Sequence, residues 1–282
     1  AWLHAGDTVF LYFFTAITCS LVYATLRGGR LRNIVVAALG ALVLFSVVSN
    51  KSTVFEGRSF FSTYKVLAGE NPDRHYLYHG NTLHGLQVRS EGLTRMGFPY
   101  YTKYSPVADV LNIFEPKAGP ARKIEIGVVG LGTGAMASLL WRNEKMQFYE
   151  LDPIIADIAR NEQYFSFLHR ADGDVDVEIG DGRMKLEEDR DDRFDVIAID
   201  AFSSDSIPRH LLTREALRMY DQKLREGGIV VIHTSNRYLN LSKLVAATAS
   251  SLNFSHRLKK GPDLDREVDG RPIPQFVASS EW

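Results

Sequence analysis

Two aspartates that follow an apolar run are the residues of this sequence most suited to chemistry. Asp200 ends "FDVIAID", and Asp205 follows in the loop "AFSSDS". Two carboxylates facing one crevice can hold an amine, and the less solvated one can accept its proton during attack on an activated carbon. A charge at the end of a buried strand is costly unless it is paired or used, whereas Asp205 also suits a turn or cap. The pattern therefore indicates amine chemistry centred on Asp200.

Three glycines mark a candidate ligand-binding turn. Gly130, Gly132 and Gly134 in "GVVGLGTGAMA" follow a strand-like run and lead into a helix-compatible stretch, with Thr133 between the last two. Glycine lets the backbone approach a ligand and adopt positive φ, although such glycines also occur in ordinary tight turns. The spacing is G-x-G-x-G rather than the G-x-G-x-x-G of dinucleotide sites, which favours a nucleoside ligand other than NAD.

Two further acidic residues follow later strands. Glu150, twenty residues after Gly130, ends a strand in "FYELDP", where a carboxylate can accept hydrogen bonds from both ribose hydroxyls. Asp181 and Gly182 in "EIGDGR" follow the next strand, and Asp181 can accept from an adenine amino group or cap the helix that begins there. The set predicts a nucleoside sulfonium cofactor rather than NAD.

A mostly parallel sheet would bring these positions together, because ligands of such sheets lie beyond the carboxyl ends of the strands. In the second half of the chain, strand-like runs alternate with helical stretches, which predicts an α/β fold with helices on both faces of the sheet. The runs are "IEIGVVG", "MQFYEL", "VDVEIG", "FDVIAID" and "GGIVVIHTS", and the helical stretches are 133–143, 153–161, 209–225 and 239–251.

The segment before this sheet has a different character. Residues 52–105 contain short alternating runs such as "HYLYHGNTLHGLQVRS", which predict hairpins of a small β region, and 107–114 predicts a short helix. His84 and Gln87 belong to the β region that would roof the cleft, so they are candidates for substrate binding. No spacing among the histidines indicates a metal site, and we predict none.

Two uncharged runs near the start of the chain predict membrane attachment. Residues 8–26 and 33–50 are each close to the length of a transmembrane helix, although buried core helices or an uncleaved signal segment are alternatives. The predicted organisation is two transmembrane helices (1–51), a small β-rich region with a linker helix (52–118) and a nucleoside-binding domain (119–282). Positive charges flank both runs, so they select no orientation. Further membrane helices upstream are compatible with a chain that does not begin with Met.

Composition excludes several other classes of protein. The chain has 282 residues, 45% hydrophobic and 24% charged, which is enough for a substantial core in one or two domains. A net charge of −1 provides no general attraction to phosphate backbones, so we expect no nucleic-acid partner. One cysteine excludes an intramolecular disulfide framework and a cysteine-rich zinc site.

The order "VVGLGTG", "YELDP", "GDGR" and "DVIAIDAFSSDSIPRHLLTREAL" over residues 75–252 resembles spermidine synthases, polyamine aminopropyltransferases with the class I methyltransferase fold. Within that family the chain looks closest to membrane-attached spermidine synthase-like proteins, through "LYHGNTLHGLQ", "YSPVADV" and "HTSNRYL". The resemblance implies that Glu150 binds ribose, Asp181 binds adenine, and Asp200 and Asp205 bind the amine, with Asp200 as acid and base. It also implies that Tyr104 is the active-site tyrosine.

Two departures from the family pattern keep other functions open. Thr133 stands where spermidine synthases usually have an aspartate that meets the amino end of decarboxylated S-adenosylmethionine, and "DAFSSDSIP" is longer than D-S-x-D-P. The hypotheses are therefore aminopropyl transfer to a small amine, methyl transfer from intact S-adenosylmethionine, and an inactive membrane accessory subunit. We expect a bacterial inner-membrane protein that contacts lipid, with its soluble domain in the cytoplasm, where the cofactor is made. A homo-oligomer or a larger membrane complex is compatible with the sequence.

Overall fold

The computed structural model describes residues 29, 33–34, 52–70, 73–98, 100–114, 123–202, 207–235, 239–260, 267–268 and 271–272. The chain forms two compact units, Ala1–Ser52 and Thr53–Trp282. Apart from residues 33 and 34, the predicted membrane helices at 8–26 and 33–50 lie outside the described residues. Within the described ranges, every helix is too short or too polar to cross a bilayer. The division of the remaining chain near residue 118 stays a prediction.

The predicted β region is a four-stranded antiparallel sheet in the order β1-β2-β3-β4. Tyr64 pairs with His79 between β2 and β3, and Leu77 pairs with Gly85 between β3 and β4, where a bulge follows Leu77. The sheet ends earlier than the predicted boundary at 105, and turns occupy the following residues. Its strands are β1 Ser52–Arg58, β2 Thr63–Glu70, β3 Asp73–His79 and β4 Thr82–Val88.

The second sheet has five parallel strands in the order β7-β6-β5-β8-β9, as the alternation of strands and helices predicts. Its strands are β5 Ile124–Val129, β6 Glu144–Glu150, β7 Asp174–Ile179, β8 Phe194–Ile199 and β9 Leu224–Ile232. The α-helices are α1 Pro106–Phe114, α2 Pro153–Arg160, α3 Gly182–Glu188, α4 Arg214–Lys223 and α5 Leu241–Ser250. Two 3-10 helices, Ala135–Leu139 and Arg209–Leu211, and a short antiparallel pair, β10 Glu267–Val268 with β11 Arg271–Pro272, complete the described elements.

Burial on both faces of the parallel sheet explains why its central strands are continuously apolar. Successive side chains of a strand point to opposite faces, so a strand covered on both sides has no place for an alternating pattern. Every residue of β8 is buried. Val196 and Ala198 belong to one core cluster, whereas Ile197 and Ile199 belong to the cluster on the other face. Packing on both faces holds β8 in place, and with it Asp200, the residue that directly follows the strand.

The helix predicted at 133–143 is much shorter than expected. Only the five residues Ala135–Leu139 are helical, and they form a 3-10 helix. Gly134 provides no side-chain cap, and Leu140 already has an extended backbone with φ −71° and ψ 142°. A short 3-10 segment is typical where capping and length do not support an α-helix.

The turn after β5 requires glycine for two different reasons. Gly130, Gly132 and Gly134 all have positive φ, at 99°, 55° and 77°. A Cβ at Gly130 would collide with the carbonyl group of Asp200, whose carbon would lie 2.9 Å away. Around Gly132 the nearest atom to such a Cβ is the His84 carbonyl oxygen, at 3.8 Å. Gly130 is therefore required by close packing against the end of β8, and Gly132 only by its backbone conformation.

This difference predicts unequal costs for two matched substitutions. Gly130→Ala should lower the free energy of unfolding by about 3 kcal/mol or more, because the turn or β8 must move. Gly132→Ala should lower it by about 1 kcal/mol, the cost of placing alanine in a left-handed conformation. Urea unfolding of the two variants measures the difference, and equal losses would contradict the packing role of Gly130.

Candidate active site

The carboxyl ends of the parallel strands place the predicted residues in one row. Backbone hydrogen bonds continue the sheet beyond the last strand residues, so the residues that follow β5, β8 and β9 are held side by side. Glu150 ends β6 on the other side of β5. This is the edge where ligands of parallel α/β sheets bind. The bonds, each from N–H to carbonyl oxygen, join Gly130 to Tyr149 and Asp200 to Val129, both at 2.9 Å, and His233 to Ile199 at 3.0 Å.

Glu150 is buried and holds the glycine turn through its carboxylate. Its Oε2 accepts a hydrogen bond from the Leu131 amide at 2.9 Å, and its Oε1 accepts from the Asp152 amide at 2.8 Å. Burial raises the pKa of Glu150, and the two backbone amides act in the opposite direction. Each carboxylate oxygen can accept a second hydrogen bond, so the predicted ribose contacts remain compatible with these bonds.

Asp152, two residues later, links this edge to the four-stranded sheet. Its Oδ1 caps α2 by accepting from the Ile154 amide at 3.0 Å, and its Oδ2 accepts from the Tyr64 hydroxyl at 2.6 Å. Ser59 also donates to Oδ2. Burial, followed by the hydrogen bond to Asp152, raises the pKa of Tyr64. The "ELD" sequence thus orders the glycine turn through Glu150 and the hairpin sheet through Asp152.

The β3-β4 hairpin covers the glycine turn. A Cβ at Gly85 would lie 2.7 Å from Thr133 Cγ2, so the absence of a side chain at 85 lets Thr133 pack there, where it is 2% exposed. The His84 ring lies on the His79 ring, with 4.8 Å between centroids, and burial lowers the pKa of His79. His84 is therefore placed above the turn, as the sequence predicts, whereas its role in substrate binding stays a prediction.

Gln87 has a structural role in this hairpin. Its side chain donates to the Thr94 carbonyl at 2.7 Å and to the Ser166 hydroxyl at 2.9 Å, and it accepts from the Ser166 amide at 3.0 Å. Both amide protons are used, and Gln87 is 1% exposed. These contacts give the predicted substrate-binding role of Gln87 no support.

Asp181 acts as the cap of α3. Its Oδ1 accepts from the Arg183 and Met184 amides at 3.0 and 3.1 Å, as the capping alternative predicts. Its Oδ2 lies 3.1 Å from His210 Nε2. A Cβ at Gly182 would collide with Val129, so this glycine lets α3 pack against β5. The structure places both residues at the predicted edge, and the adenine contact of Asp181 stays a prediction.

Two side chains of the described residues, an imidazole and a phenol, contact the carboxylate of Asp200. Its Oδ1 lies 2.7 Å from His233 Nδ1, and its Oδ2 accepts a hydrogen bond from the Tyr101 hydroxyl. The side chain of Asp200 is 12% exposed. Within the part of the chain that the structure describes, His233 is the only basic side chain paired with Asp200. Among the described residues, therefore, no lysine or arginine pairs with this nearly buried carboxylate.

The loop before α1 places Tyr101 over Asp200. Tyr101 pairs with Gly97 in an isolated bridge, and its amide donates to the Gly97 carbonyl at 2.7 Å. A Cβ at Gly97 would lie 2.7 Å from Ser138 Oγ and 2.9 Å from the Ala135 carbonyl oxygen, so glycine lets the loop approach the 3-10 helix. Close packing at Gly97 thus fixes the position of the tyrosine.

The remaining predicted residues have different positions. Tyr104 is half-buried, with the Lys103 ammonium 4.9 Å from its ring centroid, and Tyr101, three residues earlier, is the tyrosine that contacts Asp200. Asp205 lies outside the described residues. The catalytic roles of Tyr104 and Asp205 stay predictions.

Sequence reasoning did not select Tyr101 or His233. The stretch "YYTKYSP" contains three tyrosines, and spacing alone does not choose among them. The sequence could place His233 at the carboxyl edge of the sheet, because it directly follows β9; only the strand order puts β9 next to β8 and His233 beside Asp200.

Comparison with known proteins finds curated relatives and solved structures that are similar to the chain. No protein-family model matches the chain. A polyamine aminopropyltransferase of Vibrio vulnificus is 34% identical over 145 residues, which are 50% of this chain and 44% of that protein. The chain is similar to polyamine aminopropyltransferases. A probable polyamine aminopropyl transferase of Bifidobacterium longum is 26% identical over 230 residues, 76% of this chain and 46% of that protein. The chain thus spans less than half the length of these curated relatives.

Two solved structures are similar in fold to the chain. Spermidine synthase from Thermotoga maritima aligns with a TM-score of 0.57 and 18% identity, over 81% of this chain and 71% of that chain. A probable spermidine synthase from Corynebacterium glutamicum aligns with a TM-score of 0.52 and 21% identity, over 65% of this chain and 63% of that chain. The predicted Rossmann-like α/β fold with a parallel sheet is confirmed.

The buried Glu150 of this aminopropyltransferase-like chain predicts a pH-dependent stability. In the folded chain the pKa of Glu150 is raised above the ordinary value of 4.5. The stability that Glu150 contributes is therefore complete below pH 4.5 and is lost as pH rises through the folded pKa. Relative to Glu150→Gln, the wild type should lose up to about 1.4 kcal/mol of unfolding free energy per pH unit in that window. Denaturant unfolding across pH measures this slope. Glu226→Gln, at an exposed position, is the control, and parallel profiles of the wild type and Glu150→Gln would contradict the prediction.

Proposed function

We propose that the chain transfers an aminopropyl group from decarboxylated S-adenosylmethionine to a small amine. The observation that carries the proposal is Asp200, a nearly buried carboxylate at the end of a central strand whose described partners are a histidine and a tyrosine. Similarity to polyamine aminopropyltransferases supports the same chemistry. The specific amine is left open.

The described residues fit a nucleoside ligand. A Cβ at Gly132 would meet only the His84 carbonyl oxygen, at 3.8 Å, and Glu150 retains capacity for ribose hydroxyls. Three apolar side chains stay exposed along the same edge of the sheet, directly after β6, at the end of β7 and in the first turn of α3. Exposed apolar side chains near convergent polar groups suit a flat purine. The three are Leu151 at 44%, Ile179 at 37% and Met184 at 62% exposure.

Asp200 would bind the attacking amine and accept its proton. An ammonium group is attracted by a nearly buried carboxylate, and the amine becomes a nucleophile only after it loses a proton. The nitrogen would then attack the propyl carbon next to the sulfonium, which is the electrophile that the bound cosubstrate supplies. Asp205 and Tyr104 are proposed to complete the amine site from the neighbouring loops.

Methyl transfer from intact S-adenosylmethionine is the second candidate. Thr133 supports it, because this residue is uncharged and packed against Gly85, so it provides no carboxylate for the amino end of the decarboxylated compound. Asp200 favours the first candidate. Intact S-adenosylmethionine carries a carboxylate that Asp200 would repel, and the decarboxylated form does not.

Location is a further part of the proposal. The apolar runs 8–26 and 33–50 would attach the chain to a bacterial inner membrane and its lipids, with the catalytic part in the cytoplasm. An inactive accessory subunit in a larger complex is the outcome that absence of ligand binding would favour.

The choice of sulfonium compound can be measured by calorimetry. We expect decarboxylated S-adenosylmethionine to bind at least tenfold more tightly than the intact form, because of the charge repulsion described above. Glu150→Gln should weaken both compounds, since one oxygen acceptor becomes an amide donor. Tighter binding of the intact form would contradict aminopropyl transfer and favour methyl transfer. If neither compound binds, the hypothesis of an inactive accessory subunit is favoured.

The role of Asp200 predicts a rate effect without loss of cosubstrate binding. Asp200→Asn should lower kcat/KM for aminopropyl transfer to 1,4-diaminobutane by about 100-fold or more, the usual contribution of a general base. Its affinity for decarboxylated S-adenosylmethionine should stay within about twofold, within the usual error of such a measurement. Asp176→Asn, an exposed change on β7, is the matched control. An unchanged rate in Asp200→Asn would exclude this role.

A further inference from the structure

We propose that His233 and Asp200 act together as the proton acceptor of the site, so that His233 is part of the base rather than a structural neighbour. This inference rests on the proposed function. It is carried by the 2.7 Å contact between His233 Nδ1 and Asp200 Oδ1, with the two side chains 7% and 12% exposed.

The surroundings of His233 fix its ring relative to Asp200. The Phe202 ring lies edge-on at 4.8 Å between centroids, and the Tyr100 ring lies 6.0 Å away. The His233 amide is bonded to the Ile199 carbonyl, which anchors the residue to β8. These contacts hold Nδ1 against the carboxylate, an arrangement that orients an imidazole and selects its tautomer.

The ionisable groups around His233 determine where an added proton is accommodated. Among the described residues, Asp200 contacts the imidazole directly, the Tyr100 phenol lies beside the ring, and the Tyr101 phenol reaches the other oxygen of Asp200. Donors on both carboxylate oxygens stabilise the charged carboxylate. With Nδ1–H donating to Asp200, Nε2 is the ring nitrogen that can accept a proton, and the resulting imidazolium stays paired with a carboxylate.

The proton and electron balance is simple. Before reaction the pair carries one negative charge, which attracts the ammonium form of the amine. The ammonium gives one proton to the pair, which becomes neutral overall. The nitrogen lone pair then forms the new N–C bond, and the C–S bond breaks with its electrons on sulfur. The pair finally releases the proton to solvent.

A pH profile distinguishes this base from Asp200 alone. His233→Asn keeps an amide donor near the position of Nδ1 but cannot accept a proton. With decarboxylated S-adenosylmethionine and 1,4-diaminobutane, its kcat/KM should fall at least tenfold at pH 7.5. The acidic limb of its pH profile should move, because an imidazole no longer takes part in accepting the proton. His256→Asn, at an exposed site, should match the wild type. A lower rate with an unmoved acidic limb would overturn the proposal.

A spectroscopic titration tests the pair without turnover. In the full chain labelled with 15N-histidine, the His233 signals are identified as those missing from His233→Asn, or from His233→Gln if the first variant does not fold. Their dependence on pH should change in Asp200→Asn, because the paired carboxylate is removed. An unchanged dependence would overturn the pair. A coupled titration in a protein that makes no product would support the pair and reject the proposed function.

Discussion

The buried carboxylate of Glu150 is the contact on which the geometry of the site depends. One oxygen holds the glycine turn through the Leu131 amide, and the other holds Asp152, which in turn binds Tyr64 of the hairpin sheet. Burying a charge is costly, and here backbone amides compensate for part of the lost hydration, since the pKa of Glu150 stays raised. The same group therefore sets the shape of the turn and connects it to the hairpin that covers it. A substitution at Glu150 should therefore affect both the glycine turn and the hairpin that covers it.

Two acidic residues of one sheet edge have different surroundings and hence different uses. Glu150 is bonded to backbone amides, which do not act as acids or bases, so it suits a fixed binding role. Asp200 is bonded to an imidazole, the side chain best suited to proton transfer, and to a phenol. Groups whose environments differ in this way commonly divide binding from proton transfer. The division agrees with aminopropyl transfer, in which a nucleoside must be held while an amine is deprotonated.

The sheet and its edge residues were predictable because they follow from local patterns. A strand buried on both faces must be apolar along its length, so "FDVIAID" identifies both β8 and the aspartate that ends it. The helix predicted at 133–143 is shortened to the 3-10 helix Ala135–Leu139, where Gly134 provides no side-chain cap and the backbone is already extended at Leu140. The position of Gln87 in the β region over the cleft predicts a binding role, and its partners Thr94 and Ser166 are visible only in the structure.

The sequence by itself determined which residue types stand at the ends of the strands, because hydrophobic periodicity and glycine spacing are local properties. Only the tertiary structure decided which of them meet. Strand order places His233 beside Asp200, although 33 positions separate them, and close packing at Gly97 brings Tyr101 rather than Tyr104 to the same carboxylate. Contacts of this kind depend on the distance between chain segments in space, which no spacing along the chain encodes.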